Sequence, residues 1–284
     1  MAINTAPRST ASMPQLERKD NWISQPLLTA IVLIGFVIYS TWRVLENNFT
    51  NTIDPAHQHL AFGIVQQGAH YTSPFYALPD FGIPLLQIPL IAAAYALFIP
   101  VSFRATCYFC RRTAYRAFFS DPSACGVREF IPKGKNYTGE RKFPFSFVNL
   151  HRYTLYLVVI LVALHWLHLL EAFIYTKSVV VNNQLTTNPH LGFGVGTFIL
   201  TVDTIALTLY VVSCHSFRHV MGGWVTKFSK SDGHLKRFKL WQQITRLNEN
   251  HGLYFWVSLG SIWVADLYIR LYASGLIPDF KVVF

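Results

Sequence analysis

Charge is what this sequence has least of. Asp, Glu, Lys and Arg make up 13% of its 284 residues, about half the share carried by a soluble domain. Only 14 residues are acidic against 24 Lys or Arg, a formal balance of +10. With 52% apolar residues and a mean hydropathy of +0.30, too little polar surface exists to cover a water-facing core, and the composition points to an integral membrane protein. Cysteine is scarce as well. Four in a chain of this length exclude the disulfide framework of a small secreted domain. Residues 1–25 are polar and include Arg8, Arg18 and Lys19, without the apolar core and small-residue site of a cleavable signal peptide. There is no internal repeat, no low-complexity tract and no glycine fingerprint of the GxGxxG type after a strand, so a dinucleotide-binding enzyme is not in view.

Long apolar runs are present instead. Five of them, 26–42, 81–103, 155–174, 191–212 and 253–271, approach the roughly 20 helical residues that cross a hydrocarbon layer about 30 Å thick. The first is short and needs Trp22, Tyr39 and Trp42 as interfacial anchors. The second contains Pro84, Pro89 and Pro100, which predict kinks or a late start. The expected fold is therefore an all-α integral membrane protein, a five-transmembrane-helix bundle. Its expected parts are an N-terminal tail (1–25), a membrane domain (26–275) and a C-terminal tail (276–284).

Lys and Arg are distributed unevenly between the loops. Residues 104–142 carry nine and residues 215–250 carry seven, whereas 46–80 carry none and 175–190 only Lys177. The positive-inside rule then predicts a cytoplasmic N-terminus and an external C-terminus. Because the basic residues are split over loops flanking apolar spans, they read as a topology signal with lipid headgroups as partners, and no nucleic acid is expected.

With that topology every cysteine (Cys107, Cys110, Cys125 and Cys214) falls at or beyond the cytoplasmic boundary, level with His151, His215, His219 and His251. Any one of these residues alone is unremarkable in a membrane helix; their shared depth is the signal. Zinc would want a closed tetrahedral set, and Cys107-x-x-Cys110 has no matching second pair. A haem b would take two histidines from different helices, His151 with His215 or His219. A Rieske-type [2Fe–2S] cluster would take two Cys and two His, available from Cys107, Cys214 and the same histidines. His165 and His168 lie about 20–27 Å further along the third span, where a second haem would need a partner such as His190. Asp203 and Asp266 fall inside spans, where acids are costly and mark either interhelical pairing or a proton path.

Several phrases go further. Phe103-Arg-Ala-Thr-Cys-Tyr, Tyr137-Thr-Gly-Glu-Arg-Lys-Phe-Pro, Asn149-Leu-His-Arg-Tyr, Ser213-Cys-His-Ser-Phe-Arg-His-Val-Met-Gly-Gly and Phe228-Ser-Lys resemble the membrane-anchor (cytochrome b) subunit of succinate dehydrogenase, of the single-chain, five-span type found in actinobacteria. The resemblance covers roughly residues 100–275. It implies a bacterial cytoplasmic-membrane location, with a flavoprotein subunit, an iron–sulfur subunit and room for a small additional membrane subunit as partners. It also implies electron transfer from succinate to a membrane quinone, menaquinone being the expected type. The cofactor it implies is a Rieske-type cluster or haem b, at Cys107, His151, Cys214, His215 and His219. Arg152 is then the candidate donor to a quinone carbonyl and Asp266 the candidate proton donor. A small proton-coupled transporter, built on Asp203, Asp266 and the proline-broken second span, is the rival from another class, and an anchor without cofactor is a third.

Overall fold

Helices form where the apolar runs predict them. The computed structural model describes residues 24–45, 71, 73–75, 89–110, 145–181, 184–223, 227, 229 and 232–284. In chain order its helices are α1 (Ser24–Leu45), α2 (Pro89–Ala105), the single turn α3 (Tyr108–Cys110), α4 (His151–Ala172), α5 (Val195–Val212), α6 (His215–Gly222), α7 (Asp232–Glu249) and α8 (His251–Ala273), with a 3₁₀ segment, Phe145–Leu150, leading into α4. Among the described residues, four helices are long and apolar enough to cross a membrane: Pro26–Leu45, Ser146–Ala172, Val195–Val212 and His251–Tyr272. At 17 residues, α2 is about 26 Å long and falls just short of the layer. Residues 81–88 of the expected second span lie outside the described residues.

Polarity is inverted relative to a soluble bundle. Leu28, Ile38, Tyr153, Ile160, Leu170, Phe198 and Leu253 point outward, while Arg43, Arg104, His151, Asp203 and Asp266 are buried. Only a hydrocarbon surrounding makes that arrangement favourable, because polar groups then gain by facing one another. Helix α5 packs most extensively on α8 and then on α4, with α2 against α4 and α1 against α2.

Asp266 of α8 ties α1 into the bundle. Its carboxylate accepts from Arg43 Nε at 2.7 Å and Nη2 at 3.2 Å, from Tyr39 Oη at 2.5 Å, and from Ser73 Oγ at 2.5 Å. Asp203 of α5 accepts from Ser261 Oγ of α8 at 2.6 Å.

The end of the bundle away from the cysteines carries a small antiparallel sheet that the all-α expectation did not include. Strand β1 (Ile174–Val181) pairs with β2 (Gln184–Gly194), and β3 (Lys281–Val283) adds to Gly192–Gly194. The run Ile174-Tyr-Thr-Lys-Ser-Val-Val-Val is rich in β-branched residues, which favour a pleated ribbon over a loop. Residues 281–283, expected to be tail, complete the sheet. Asp279 binds Tyr71 Oη and Tyr268 Oη, both at 2.6 Å, and the amide of Gly196 at 3.2 Å, close to the N-terminus of α5. There the chain needs glycine: a Cβ on Gly196 would collide with the Tyr71 ring.

Candidate redox site and adjoining cavity

Four helix ends meet at the cysteine-bearing end of the bundle. Helix α2 finishes in a tight turn, with Thr106 N donating to Ser102 O and Cys107 N to Arg104 O, which leaves the Cys107 side chain buried. The Cys107 sulfur accepts from Phe109 N at 3.4 Å. Between α5 and α6 the chain breaks at Cys214, whose extended backbone (φ −62°, ψ 139°) stops one helix and caps the next. His151 and His251 are the first residues of α4 and α8.

These ends produce two thiol–imidazole pairs. His151 Nε2 lies 3.1 Å from Cys214 Sγ, and His251 Nε2 lies 3.4 Å from Cys107 Sγ. The remaining ring nitrogens meet hydroxyls: His151 Nδ1 is 2.9 Å from Thr106 Oγ1, and His251 Nδ1 is 2.8 Å from Ser213 Oγ. One assignment of the protons satisfies every group. In it Thr106 donates to Ser102 O at 2.7 Å and Ser213 to Tyr210 O at 3.1 Å. Both hydroxyls then accept from the rings, both Nδ1 atoms carry hydrogen, and both Nε2 atoms are bare. Burial pushes the Cys214 thiol up to about 12 and raises Cys107 as well, so each sulfur keeps its proton and donates it to the facing Nε2. Stacking completes the support: His151 lies on Phe103 at 4.5 Å and His251 on Tyr210 at 5.1 Å.

The donor set is thus two thiols and two imidazoles with bare Nε2 atoms, each ring oriented through its other nitrogen. Orientation of that kind accompanies histidine ligation of metals. Among the described residues no group of three or more His, Cys, Asp or Glu side chains is placed to hold a metal ion. The four residues form two mixed pairs, each of one cysteine and one histidine.

Cys107, Cys214 and His151 are brought together as the sequence suggested. His215 and His219 instead pair with each other, Nε2 to Nε2 at 3.0 Å, with the His215 ring edge-on to Tyr108. His251 is the histidine beside Cys107. The signal for it was its depth; reading the last span as starting at Leu253 left it outside the ligand set. Arg152 is exposed at the start of α4, and Asp266 is engaged with Arg43.

Behind this layer a cavity of about 70 Å³ opens among α1, α2, α4, α5 and α8, walled by Phe36, Phe75, Leu161 and Leu200 and reached by Arg104 and Tyr210. Three buried polar atoms on its lining residues have no hydrogen-bond partner among the described residues: Ser40 Oγ, His165 Nε2 and Tyr210 Oη. The Tyr210 hydroxyl makes no bond of normal geometry, yet lies near enough to Cys107 to favour its thiolate. His165 Nδ1 donates to Leu161 O at 3.0 Å, which leaves Nε2 as an acceptor. Asp203 Oδ2 is likewise unpartnered nearby. Buried polar atoms are rarely left unmatched, so an apolar cavity bordered by several of them is shaped for a ligand with a mostly apolar body and a few polar atoms.

The chain matches the family described as actinobacterial succinate dehydrogenase subunit SdhC over residues 24–275. No curated protein sequence matches it. Among solved structures it is similar to a chain of the Mycobacterium smegmatis Sdh1 complex in the apo form, with 34% identity, a TM-score of 0.69 and 96% of each chain covered. With the family matched across most of its length, the chain belongs to the SdhC family, the membrane subunit of actinobacterial succinate dehydrogenase.

Proposed function

We infer that this subunit carries electrons from the soluble iron–sulfur subunit of succinate dehydrogenase to a membrane quinone, with Cys107, Cys214, His151 and His251 as the ligand set of a Rieske-type [2Fe–2S] centre. The observation that carries this reading is the paired arrangement of two buried thiols facing two bare Nε2 atoms, one side-chain layer from an apolar cavity. When bound, such a centre supplies one-electron transfer. Thr106 and Ser213 stand at the Nδ1 atoms, where as acceptors they orient the imidazoles for ligation through Nε2. A haem b is less well served, because both imidazoles turn Nε2 toward a neighbouring sulfur and not toward an open face.

The cavity is the quinone site in this reading. Tyr210 Oη, which also lies by Cys107, is the donor offered to a quinone carbonyl, and His165 Nε2 an unmatched acceptor for a quinol hydroxyl; menaquinone is the expected substrate. These residues take the parts that the sequence offered to Arg152 and Asp266. The basic segments 104–142 and 215–250 lie on the cytoplasmic side, where the flavoprotein and iron–sulfur subunits, and a small additional membrane subunit, would assemble. The sheet then faces outward across the bacterial cytoplasmic membrane.

Low-temperature EPR and optical spectra of the purified, dithionite-reduced complex test the assignment. A histidine-ligated [2Fe–2S] signal that disappears in Cys214→Ser together with succinate-to-quinone activity is the expected result. A haem band in its place, or a signal and activity that survive Cys214→Ser, would sink it.

A further inference from the structure

Arg104 is a buried cation that makes no ion pair among the described residues. Its side chain is 6% exposed, and its guanidinium donates only to neutral groups, Phe255 O at 3.2 Å and Ser258 Oγ at 3.1 Å. Aromatic rings hold it from several sides: Tyr210 at 4.7 Å, Phe255 at 5.3 Å and Phe36 at 5.7 Å. Among the described residues no carboxylate forms an ion pair with it; the one buried ion pair there joins Arg43 to Asp266. A guanidinium inside a membrane protein keeps its proton and is costly unless a negative charge answers it.

Tyr210, Cys110, Asp203 and Cys107 are the groups able to become anionic whose charge would act on Arg104, and the Asp203 carboxylate accepts from Ser261 without forming an ion pair with Arg104. Cys107 N donates to Arg104 O at 3.2 Å in the turn that ends α2, and the guanidinium's field acts on Tyr210, Asp203 and His251 and on the thiols of Cys107 and Cys110. As neutral thiols these residues offer Arg104 nothing to balance. Once they ligate metal they do: a di-iron core of charge 2+, two thiolates and two neutral imidazoles sum to zero, and uptake of one electron leaves one net negative charge beside the guanidinium. The reductant is the iron–sulfur subunit of the same complex.

We propose that Arg104 is the built-in counter-charge of the Cys107/Cys214/His151/His251 centre, a positioning residue that favours its reduced form and so sets its reduction potential. The proposal rests on the ligand set inferred above. Two features suit the role. The charge is permanent, so its effect does not fade across physiological pH. The neutral and aromatic cage fixes the guanidinium without cancelling its field, which in this dry surrounding is weakly screened.

The experiment is an EPR-monitored redox titration of the intact complex carrying Arg104→Gln or Arg104→Lys, alongside the wild type. In Arg104→Gln the reduction equilibrium constant should fall at least tenfold, a midpoint lower by about 59 mV for one electron, with iron content unchanged. Arg104→Lys keeps the charge and should stay much closer to the wild type. If the glutamine variant fails to hold the centre while the lysine variant holds it, the requirement for charge stands. An unmoved midpoint in a fully loaded Arg104→Gln complex overturns the proposal. So does loss of the centre from both variants, which would make the role structural. A raised KM for quinone with an unmoved midpoint overturns it too, by assigning Arg104 to the cavity. A wild-type complex with no [2Fe–2S] signal overturns the ligand set and this proposal together, whereas the other outcomes leave the ligand set standing.

Discussion

His151 presents Nε2 to the Cys214 sulfur at 3.1 Å while its Nδ1 is held by Thr106, and His251 repeats the arrangement with Cys107 and Ser213. Two residues at the starts of helices and two at interhelical breaks therefore form one layer. The first prediction follows from which histidines belong to it. His251→Ala should abolish the EPR signal and lower bound iron, while His215→Ala and His219→Ala should leave both near the wild-type level. The reverse pattern would return the ligand role to α6.

Thr106 and Ser213 are expected to act through the rings they orient. Thr106→Val and Ser213→Ala should each weaken metal retention about 10–100-fold, measured as iron left per complex after timed exposure to a chelator. Unchanged retention would show that ring stacking on Phe103 and Tyr210 suffices.

The thiols carry a pH signature in the iron-depleted complex. Burial raises the Cys214 thiol to about 12 from an ordinary value near 9, so at pH 8 the reactive thiolate is a very small fraction. Site-resolved iodoacetamide labelling of Cys214 should be slow at pH 8 and accelerate as pH rises toward 12. The linkage has a definite sign. The folded form binds more protons than the unfolded one between those two values, so the apo site loses stability as pH climbs through that window. Rapid labelling at pH 8 would contradict the burial seen here.

Asp266→Asn should destabilise the subunit by about 3–5 kcal/mol, because it breaks the buried ion pair with Arg43 by removing the charge from one side. Replacing both partners, Arg43→Met with Asp266→Leu, should recover most of that loss, since an apolar pair of similar volume is often neutral or better. Thermal unfolding of the assembled complex in one fixed lipid or detergent reads the difference. A double variant as unstable as the single one would mean that the hydrogen bonds from Tyr39 and Ser73 matter more than the ion pair.

His165→Leu removes an unmatched acceptor from the cavity wall and should raise the KM for quinone roughly tenfold, the worth of one hydrogen bond to a buried group. The midpoint potential of the metal centre should not move, because His165 lies several turns along α4 from His151.

Much of this architecture was legible because the membrane simplifies the code. Apolar length alone located α1, α4, α5 and α8. Their alternating direction, followed helix by helix, put Cys107, Cys214 and His151 at one depth. That His251 faces Cys107 was not legible. His215 and His219 adjoin Cys214 in sequence, but the extended backbone at Cys214 starts a new helix that pairs them with each other, whereas His251 arrives from 37 residues on because α8 begins two residues earlier than its apolar run. The sequence offers Arg152 as a donor to a quinone carbonyl and Asp266, an acid inside a span, as a proton donor. Side-chain geometry assigns one to the exposed start of α4 and the other to a staple between helices. The unmatched atoms of Ser40, His165 and Tyr210 mark the cavity, and no spacing rule announces a missing partner.

Asp279 has a consequence for anyone handling this chain. It lies past the last helix and past residue 275, where the family match stops, so it falls in the stretch most readily trimmed or replaced by a purification handle. Yet its carboxylate buckles together the loop bearing Tyr71, the first turn of α5 and the end of α8. Cutting at residue 278 would remove that buckle and the strand zipped onto β2, and would loosen the far ends of both helices at once. A handle appended after Phe284 leaves it fastened.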